Sequence, residues 1–255
     1  MPIFIVGLAV GLLSTVVGMG GGILMVPALT ALAELPQIEA MATSLGTIAL
    51  IAIWNTWRYH RQKLVRWQVV IQVALGSGLF AAIAGFIAPS LPEQVLVLLL
   101  IIVLLLLAWK TFRIDTINTR GNPNRTNSPI KAFGIGSLSG MIAGFTGIGG
   151  GGITTSLMLV TGITKNKTTV PTSNAIMIFT TSAGAISFAL NGSCTWPRLG
   201  LIHADYSLLL AAGAIISSFA GIRINHKIKL KHRKTILGFI LLLIALRLIF
   251  QLAAT

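Results

Sequence analysis

The feature that most constrains this chain is a pattern of residues that occurs twice, with the second copy 129 positions after the first. Five glycines of the first copy, Gly11, Gly18, Gly20, Gly21 and Gly22, recur as Gly140, Gly147, Gly149, Gly150 and Gly151. At the same spacing, Thr43, Ser44 and Trp67 recur as Thr172, Ser173 and Trp196. One spacing shared by separated motifs indicates duplication, and an internal repeat determines how the whole chain is organised.

The apolar composition places both copies in a membrane. The 255 residues are 55% hydrophobic and 9% charged, with a mean hydropathy of +0.89. A soluble fold of this length does not need so much apolar surface, whereas membrane spans of about 20 apolar residues do. The apolar runs are 2–33, 41–57, 68–88, 94–109, 132–160, 172–190, 205–222 and 235–253. The first run lacks the basic leader and clear cleavage site of a signal peptide, so we interpret it as a membrane segment.

The net charge of +14 indicates a membrane protein rather than a nucleic-acid-binding protein, because of where the charges lie. All of the 19 Lys and Arg except Arg198 and Arg247 fall in the loops 58–67, 110–131, 161–170 and 223–234. Short basic loops are typical of the cytoplasmic side, where anionic lipid headgroups attract them. Arg247 lies inside an apolar run, where it either snorkels to the outer interface or attracts an anion.

This charge bias predicts how the chain crosses the membrane. With the four basic loops in the cytoplasm, both termini and the loops 34–40, 89–93 and 191–204 lie outside. Segment 132–160 must then begin and end inside, and its copy, 2–33, must begin and end outside. Each of these segments has a glycine-rich break that allows a sharp reversal. The sequence leaves open whether each broken segment is a re-entrant hairpin or a pair of thin spans.

The predicted fold is an all-α polytopic membrane protein made of two inverted repeats. Repeat 1 covers residues 1–110, a polar cytoplasmic linker covers 111–131, and repeat 2 covers 132–255. Each repeat has about five membrane segments, of which the first two form the broken pair. Because five is odd, the second copy is upside down relative to the first, which is the usual framework for alternating access.

The glycine breaks are the first candidate binding elements. Irregular backbone at membrane depth persists only where protein buries it or where it lines a wet cavity. Exposed N–H groups followed by a helix N-terminus form an anion site. The alternative is close helix packing through small residues. A nucleotide-binding loop is excluded because no Lys-Ser or Lys-Thr follows either cluster.

The second candidate is the pair Thr43-Ser44 with its counterpart Thr172-Ser173-Asn174. Each set follows a predicted loop and is expected to open an apolar helix, with Pro171 in a first turn. Hydroxyl and amide donors beside the glycines would bind an oxyanion without a fixed cation. The alternative is simple capping of the helix starts.

Several classes of function are disfavoured by what the sequence lacks. No Asp or Glu lies in the middle of an apolar run, so no buried carboxylate relay for protons is expected. No catalytic constellation supports a membrane hydrolase or a zinc protease. The single Cys194 and the scattered histidines predict neither a disulfide nor a metal site, and no cofactor is expected. His203, near Asp205, is a candidate proton switch.

At these residues the chain resembles a known family. The pattern G-x6-G-x-G-G-G, a Thr-Ser-Leu in the next helix and the twofold repetition resemble the sulfite exporter TauE/SafE family of membrane permeases. The resemblance implies transport of small sulfur-containing anions, such as sulfite or sulfoacetate, across the bacterial inner membrane by a multi-pass protein. The motif positions carried over are Gly18, Gly20, Gly21, Gly22, Thr43, Ser44, Gly147, Gly149, Gly150, Gly151, Thr172 and Ser173. The second repeat departs from the first in having Asn174 where the first has Leu45.

We therefore predict a permease that takes a small anionic substrate at the interface of the two repeats. An anion channel without alternating access is one alternative. A membrane-embedded enzyme or assembly factor is the other, although it would need a catalytic constellation that the sequence does not supply.

Overall fold

The computed structural model describes residues 2–17, 22–113, 128–164, 166–192, 194–225 and 230–253. Their ten α-helices are α1 (Pro2–Val17), α2 (Gly22–Leu32), α3 (Gln37–Arg61), α4 (Trp67–Ile87), α5 (Glu93–Arg113), α6 (Pro129–Thr146), α7 (Gly151–Thr161), α8 (Asn166–Leu190), α9 (Ala204–Asn225) and α10 (Leu230–Ala253). A 3-10 turn, Ala88–Ser90, extends α4. Three short strands are β1 (Cys194–Thr195), β2 (Arg198–Leu199) and β3 (Ile202–His203).

The helices carry apolar side chains on their outer faces as well as in the core. Leu75, Phe86 and Ile186 are each exposed by 60% or more, although water would disfavour such a surface. Three helical stretches in the described chain, Gln37–Arg61, Trp67–Ser90 and Lys167–Leu190, are long and apolar enough to cross a membrane. The chain is therefore a predominantly helical membrane protein, and its exposed apolar faces are suited to lipid.

Helix lengths follow the sequence repeat in the second and third helices of each copy. Helices α2 and α7 have 11 residues each and begin 129 positions apart. Helices α3 and α8 have 25 residues each and begin at the same spacing. The spacing then grows to 137 positions between the starts of α4 and α9.

The added residues form a small antiparallel sheet that the sequence analysis had placed in a loop. Strands β1, β2 and β3 pair in order, with Arg198 opposite His203. Trp67 begins α4, whereas Trp196 lies between β1 and β2. The predicted equivalence of these two tryptophans is therefore wrong, because the sheet is inserted ahead of α9.

The two halves pack on each other through a reciprocal set of contacts. Helix α1 packs on α9 and α6 packs on α4, while α3 contacts α8 and α5 contacts α10. A Cβ on Gly11 would collide with the backbone of Ala214, and one on Gly140 would collide with the backbone of Ser77. Glycine thus permits the same close helix approach at both crossings.

The buried core lies where these helices meet. Met41, Leu45 and Ile148 are almost completely buried and belong to one cluster that draws on both halves of the chain. Ile48 and Met177 belong to a second cluster that also joins α3 to α8. The centre of the molecule is thus the contact between α3 and α8, which also carry the predicted Thr-Ser motifs.

Candidate functional site at the helix breaks

The predicted break in the second half is present. Helix α6 ends at Thr146 and α7 begins at Gly151. Gly147, Gly149 and Gly150 between them have φ angles of 70°, 79° and 70°. This left-handed region is readily accessible to glycine and costly for residues with a Cβ. The chain can reverse here because glycine occupies these positions.

Close packing around the tip also requires glycine at these three positions. A Cβ on Gly147 would lie 2.7 Å from Met41 Cα, and one on Gly150 would lie 2.9 Å from Ser139 O. A Cβ on Gly149 would lie 3.0 Å from Ile48 Cδ1. Close packing, the alternative drawn from the sequence, therefore accounts for glycine at this tip. It leaves the N–H groups as the only polar hydrogens that the glycines offer to a ligand.

The Gly147 N–H donates to Ala143 O at 2.9 Å at the end of α6, whereas Gly149 and Gly150 directly precede α7. The first turn of a helix has N–H groups without an intrahelical acceptor. In the described part of α7, the first N–H with an acceptor is that of Thr154, which donates to Gly150 O at 2.9 Å. The Thr154 hydroxyl donates to the same oxygen at 2.9 Å. The preceding N–H groups, at Gly151 and Gly152, are buried at the positive end of the helix dipole.

The start of α2 approaches the glycine break of the second half. A Cβ on Gly22, the first residue of α2, would collide with Ile148 O and with the Ile48 side chain. The start of α2 thus touches the tip that belongs to the second half. Gly18, Gly20 and Gly21, the other predicted residues of the first tip, lie outside the described residues.

The Thr-Ser motifs do not open their helices, so that expectation is wrong, and with it the alternative that they simply cap those helix starts. Helix α3 begins at Gln37, after Pro36, and the Gln37 N–H donates to Glu93 Oε1 at 2.9 Å. This bond satisfies a first-turn donor, and α3 therefore covers part of the predicted loop 34–40. Helix α8 begins at Asn166, so Pro171 lies inside the helix rather than in a first turn.

Both serines hold the second glycine tip. The buried Ser44 hydroxyl donates to Gly147 O at 2.9 Å, and the buried Ser173 hydroxyl donates to Gly151 O at 3.1 Å. A hydroxyl has one proton to donate, and in this structure a glycine carbonyl accepts it in each case. The serines thus fix the position of the tip, and their role as direct donors to an anion stays a prediction.

The two threonines make equivalent bonds in the two halves. The His203 N–H donates to Thr43 Oγ1 at 3.1 Å, and the Arg66 N–H donates to Thr172 Oγ1 at 3.2 Å. His203 directly precedes α9, and Arg66 directly precedes α4. Each threonine therefore satisfies an N–H at the start of a neighbouring helix, in the manner of a cap supplied from another element.

Asn174 gives the second half a polar side chain without a counterpart in the first. Its Nδ2 donates to Val170 O at 3.0 Å, and its Oδ1 accepts from Asn55 Nδ2 at 3.5 Å. Leu45 is completely buried at the equivalent position of α3. The predicted difference between the halves at this position is therefore also a difference in hydrogen bonding.

Sequence reasoning missed polar contacts between distant helices. The Thr180 hydroxyl donates to Ser77 Oγ at 2.8 Å between α8 and α4, and both residues are buried. His203 Nε2 lies 2.6 Å from Glu39 Oε2, whereas Asp205 Oδ1 is buried without a hydrogen-bond partner. The sequence had placed Asp205, not Glu39, beside His203. A pairing across 164 positions leaves no local signal from which it could have been predicted.

One cavity lies away from the glycine tips. It has a volume of about 450 Å³ and lies between α1, α2 and α10, with Val6, Pro27 and Arg247 among its lining residues. None of the predicted site residues lines it. Within the described chain, no three His, Cys, Asp or Glu side chains are grouped to hold a metal ion.

These features define a helical membrane protein in which the start of α2 contacts a glycine break between α6 and α7. The chain belongs to the sulfite exporter TauE/SafE family, whose model matches residues 3–248, and it is a membrane transporter of that type. It is 28% identical to a "probable membrane transporter protein" of Methanocaldococcus jannaschii, over 94% of this chain and 91% of that protein.

A second relative, the "probable membrane transporter protein YunE" of Bacillus subtilis, is 26% identical over 97% of this chain and 96% of its own length. The "sulfite exporter TauE/SafE family protein 1" of Arabidopsis thaliana is 29% identical over 47% of this chain and 24% of its own length. No solved structure gives a significant match. The similarity to the first two relatives covers both halves and their helix breaks.

Proposed function

We propose that this protein is a multi-pass permease of the inner cell membrane that exports small sulfur-containing anions such as sulfite, sulfoacetate or related compounds. The observation that carries the proposal is the contact between the start of α2 in the first half and the glycine break between α6 and α7 in the second, in a chain of the TauE/SafE family. Helix breaks at a repeat interface are typical of secondary transporters.

The proposed architecture is a pair of inverted repeats, 1–110 and 132–255, joined by the cytoplasmic linker 111–131. Each half has five helices, and the odd number turns the second half upside down. The reciprocal packing of α1 on α9 and of α6 on α4 supports this symmetry. Helices α6 and α7 would reach about 27 Å and 17 Å at 1.5 Å per residue.

Cysteine labelling tests this topology at two equivalent, exposed positions. Leu32 ends α2, and Thr161 ends α7, 129 positions later. In a Cys194→Ala background, Leu32→Cys should react with an impermeant maleimide only from outside, and Thr161→Cys only from the cytoplasmic side. Reaction of both from one side would rule out inverted repeats.

In the proposed anion site the N–H groups of the two tips bind the anion, except that of Gly147, which donates to Ala143 O and lets the chain reverse. The members of the site are Gly18, Gly20, Gly21, Gly22, Gly147, Gly149, Gly150 and Gly151, supported by Thr43, Ser44, Thr172, Ser173 and Asn174. Backbone N–H groups at a helix start bind oxyanions without a fixed cation. The serines and threonines hold the tips and the adjoining helices in place. A site of this kind suits an anion that bears several oxygens on one atom, and sulfite and the sulfonates are anions of that kind.

The membrane potential would drive export. Leaving an inside-negative compartment, a singly charged anion gains about 2.3 kcal/mol per 100 mV. That energy would support roughly a fifty-fold gradient. Sodium coupling through backbone carbonyls and hydroxyls is a second possible source of energy, because such a site needs no carboxylate.

Flux through the purified protein in liposomes tests the proposal. Sulfite, sulfate, thiosulfate and sulfonates should be compared, with potassium and valinomycin setting the potential and no pH or sodium gradient. We expect saturable flux of at least one sulfur oxyanion, with counterflow, that rises with the potential. Flux that neither saturates nor shows counterflow would indicate a channel, and no flux for the panel would contradict the substrate class.

A further inference from the structure

We propose that Glu39 and His203 form a proton-binding site that controls how firmly α9 is held to α3, and that transport responds to pH through this site. The transport part rests on the proposed function. The structural part does not, because it concerns one contact between two helices. The contact, here called the α3–α9 seam, consists of Glu39, Thr43, Thr47, His203 and Ser207.

The pair is shielded from water and makes a short contact. His203 Nε2 lies 2.6 Å from Glu39 Oε2, and the two side chains are only 9% and 18% exposed. The His203 ring stacks on Tyr206 with a centroid distance of 5.4 Å and an interplanar angle of 14°. The ring is thus held by both its edge and its face, so its protonation changes the charge at a fixed position.

Hydrogen bonds connect the Glu39–His203 pair to the predicted site along one face of α3 and the start of α9. Glu39, Thr43 and Thr47 are spaced four residues apart along α3, which places them on one face. The His203 N–H donates to Thr43 Oγ1 at 3.1 Å, and the Ser207 hydroxyl donates to Thr43 O at 3.0 Å. Thr47 Oγ1 lies 3.3 Å from Ser207 Oγ. Since Ser44 holds the glycine tip, a movement of this face of α3 would reach the proposed anion site.

Other ionisable groups lie near the pair. Arg198 Nη1 lies 4.0 Å from Glu39 Oε1, at the opposite edge of the carboxylate. Tyr206 and Asp205 lie at the start of α9, and Glu93 of α5 accepts from the Gln37 N–H. Histidine is the side chain whose charge ordinarily changes between pH 5 and 8. The carboxylate of Glu39 is thus placed to contact an imidazolium whenever His203 carries a second proton.

Protonation should tighten the seam. A neutral imidazole can donate to Glu39 through Nε2, whereas an imidazolium adds the attraction of opposite charges in a site with little water. The seam is therefore expected to hold at acidic pH and to loosen as the pH rises. At the equivalent seam, Arg66 replaces His203 and donates through Nη1 to Ile163 O at 3.4 Å. Arginine keeps its charge across this range. The strength of the contact at Arg66 should therefore not change with pH.

Hydrogen exchange measured by mass spectrometry tests the structural part. Peptides containing residues 200–207 report the His203 amide, and peptides containing 62–70 report the Arg66 amide. After correction for intrinsic rates, we expect exchange in 200–207 to be about fivefold slower at pH 5.5 than at pH 8, which corresponds to one strengthened charged contact. We expect no such change in 62–70.

Three variants distinguish the contribution of the Glu39–His203 pair to hydrogen exchange from other effects of pH on exchange. Glu39→Gln and His203→Gln keep hydrogen-bonding side chains but remove the titrating pair, so the pH dependence in 200–207 should disappear. His60→Gln removes an exposed histidine that accepts from Trp67 Nε1 at 3.2 Å, and the dependence should remain. Equal exchange at both pH values in the unmodified protein would overturn the proposal, as would a pH dependence that survives His203→Gln.

Flux of a sulfonate, whose charge is constant between these pH values, tests the transport part. With the potential fixed, we expect flux at outside pH 5.5 and 8 to differ by about fivefold, and Glu39→Gln to remove the difference. Flux that does not depend on pH, together with pH-dependent exchange, would overturn the coupling to transport. If no sulfur anion is transported at either pH while the exchange result holds, the proposed function fails and the proton site stands.

Discussion

The α3–α9 seam and its counterpart, the contact of Thr172 with Arg66 between α8 and α4, share a backbone bond and differ in their side chains. Thr43 and Thr172 each accept from the N–H that precedes a neighbouring helix, at 3.1 and 3.2 Å. One N–H belongs to His203, which contacts Glu39, and the other belongs to Arg66, which contacts Ile163 O. The repeat thus preserves the hydrogen bond that positions two helices while the adjoining charges have diverged.

This divergence has a consequence for a carrier with inverted repeats. In the proposed topology the two seams lie on opposite sides of the membrane. One then carries a histidine beside a carboxylate, and the other carries an arginine. A framework of repeated contacts can in this way present different charges on its two sides.

The largest effect is expected at the glycine tip that both halves help to pack. Gly150→Val should abolish transport, because the residue has a φ of 70° and its Cβ would lie 2.9 Å from Ser139 O. Gly134→Val is the matched control, since nothing lies within 4 Å of a Cβ at that position. Flux in liposomes is the measurement. Normal flux through Gly150→Val would exclude the tip as a close-fitting binding element.

The helix crossings test whether the halves are equivalent in energy as well as in geometry. Gly11→Val and Gly140→Val should each lower the free energy of unfolding by about 3 kcal/mol, because both would force a side chain against backbone atoms. Gly78→Ala is the control, because its nearest neighbour would lie at 3.7 Å. Thermal unfolding in detergent measures all three. A large loss of stability in only one of the two crossing variants would show that the two crossings are not energetically equivalent.

The sequence predicts the glycine tip better than the hydrogen bonds around it. Gly147, Gly149 and Gly150 were identifiable because reversal of the chain requires backbone angles that other residues rarely adopt. The Thr43-Ser44 motif was misplaced at a helix start, because Glu93, 56 positions from Gln37, completes the first turn of α3. The sheet before α9 was missed because an insertion interrupts the repeat after α8. Tertiary partners of this kind leave no periodic pattern in the sequence.

The serines should show an intermediate effect. Ser44→Ala and Ser173→Ala each leave a glycine carbonyl of the tip without its buried donor, at a cost of about 1–2 kcal/mol. Because the hydroxyls position the tip, we expect apparent substrate affinity to fall together with the melting temperature. Ser137→Ala is the control, since its exposed hydroxyl bonds only within α6, to Phe133 O. Lower stability with unchanged affinity would separate the serines from the anion site.

The smallest loss of stability is expected from replacing the two threonines, which allows the two seams to be compared directly. Thr43→Val and Thr172→Val remove the acceptor for the His203 and Arg66 N–H groups, and each should lower the free energy of unfolding by about 1 kcal/mol, as the loss of a helix cap does. Valine keeps the shape of threonine, so packing is little changed. Unfolding at pH 5.5 and pH 8 separates the two seams. The loss in Thr43→Val should depend on pH, because the Glu39–His203 contact supports the same helix start, whereas the loss in Thr172→Val should be the same at both values. Equal losses for both variants at both pH values would mean that the two seams differ in sequence but not in behaviour.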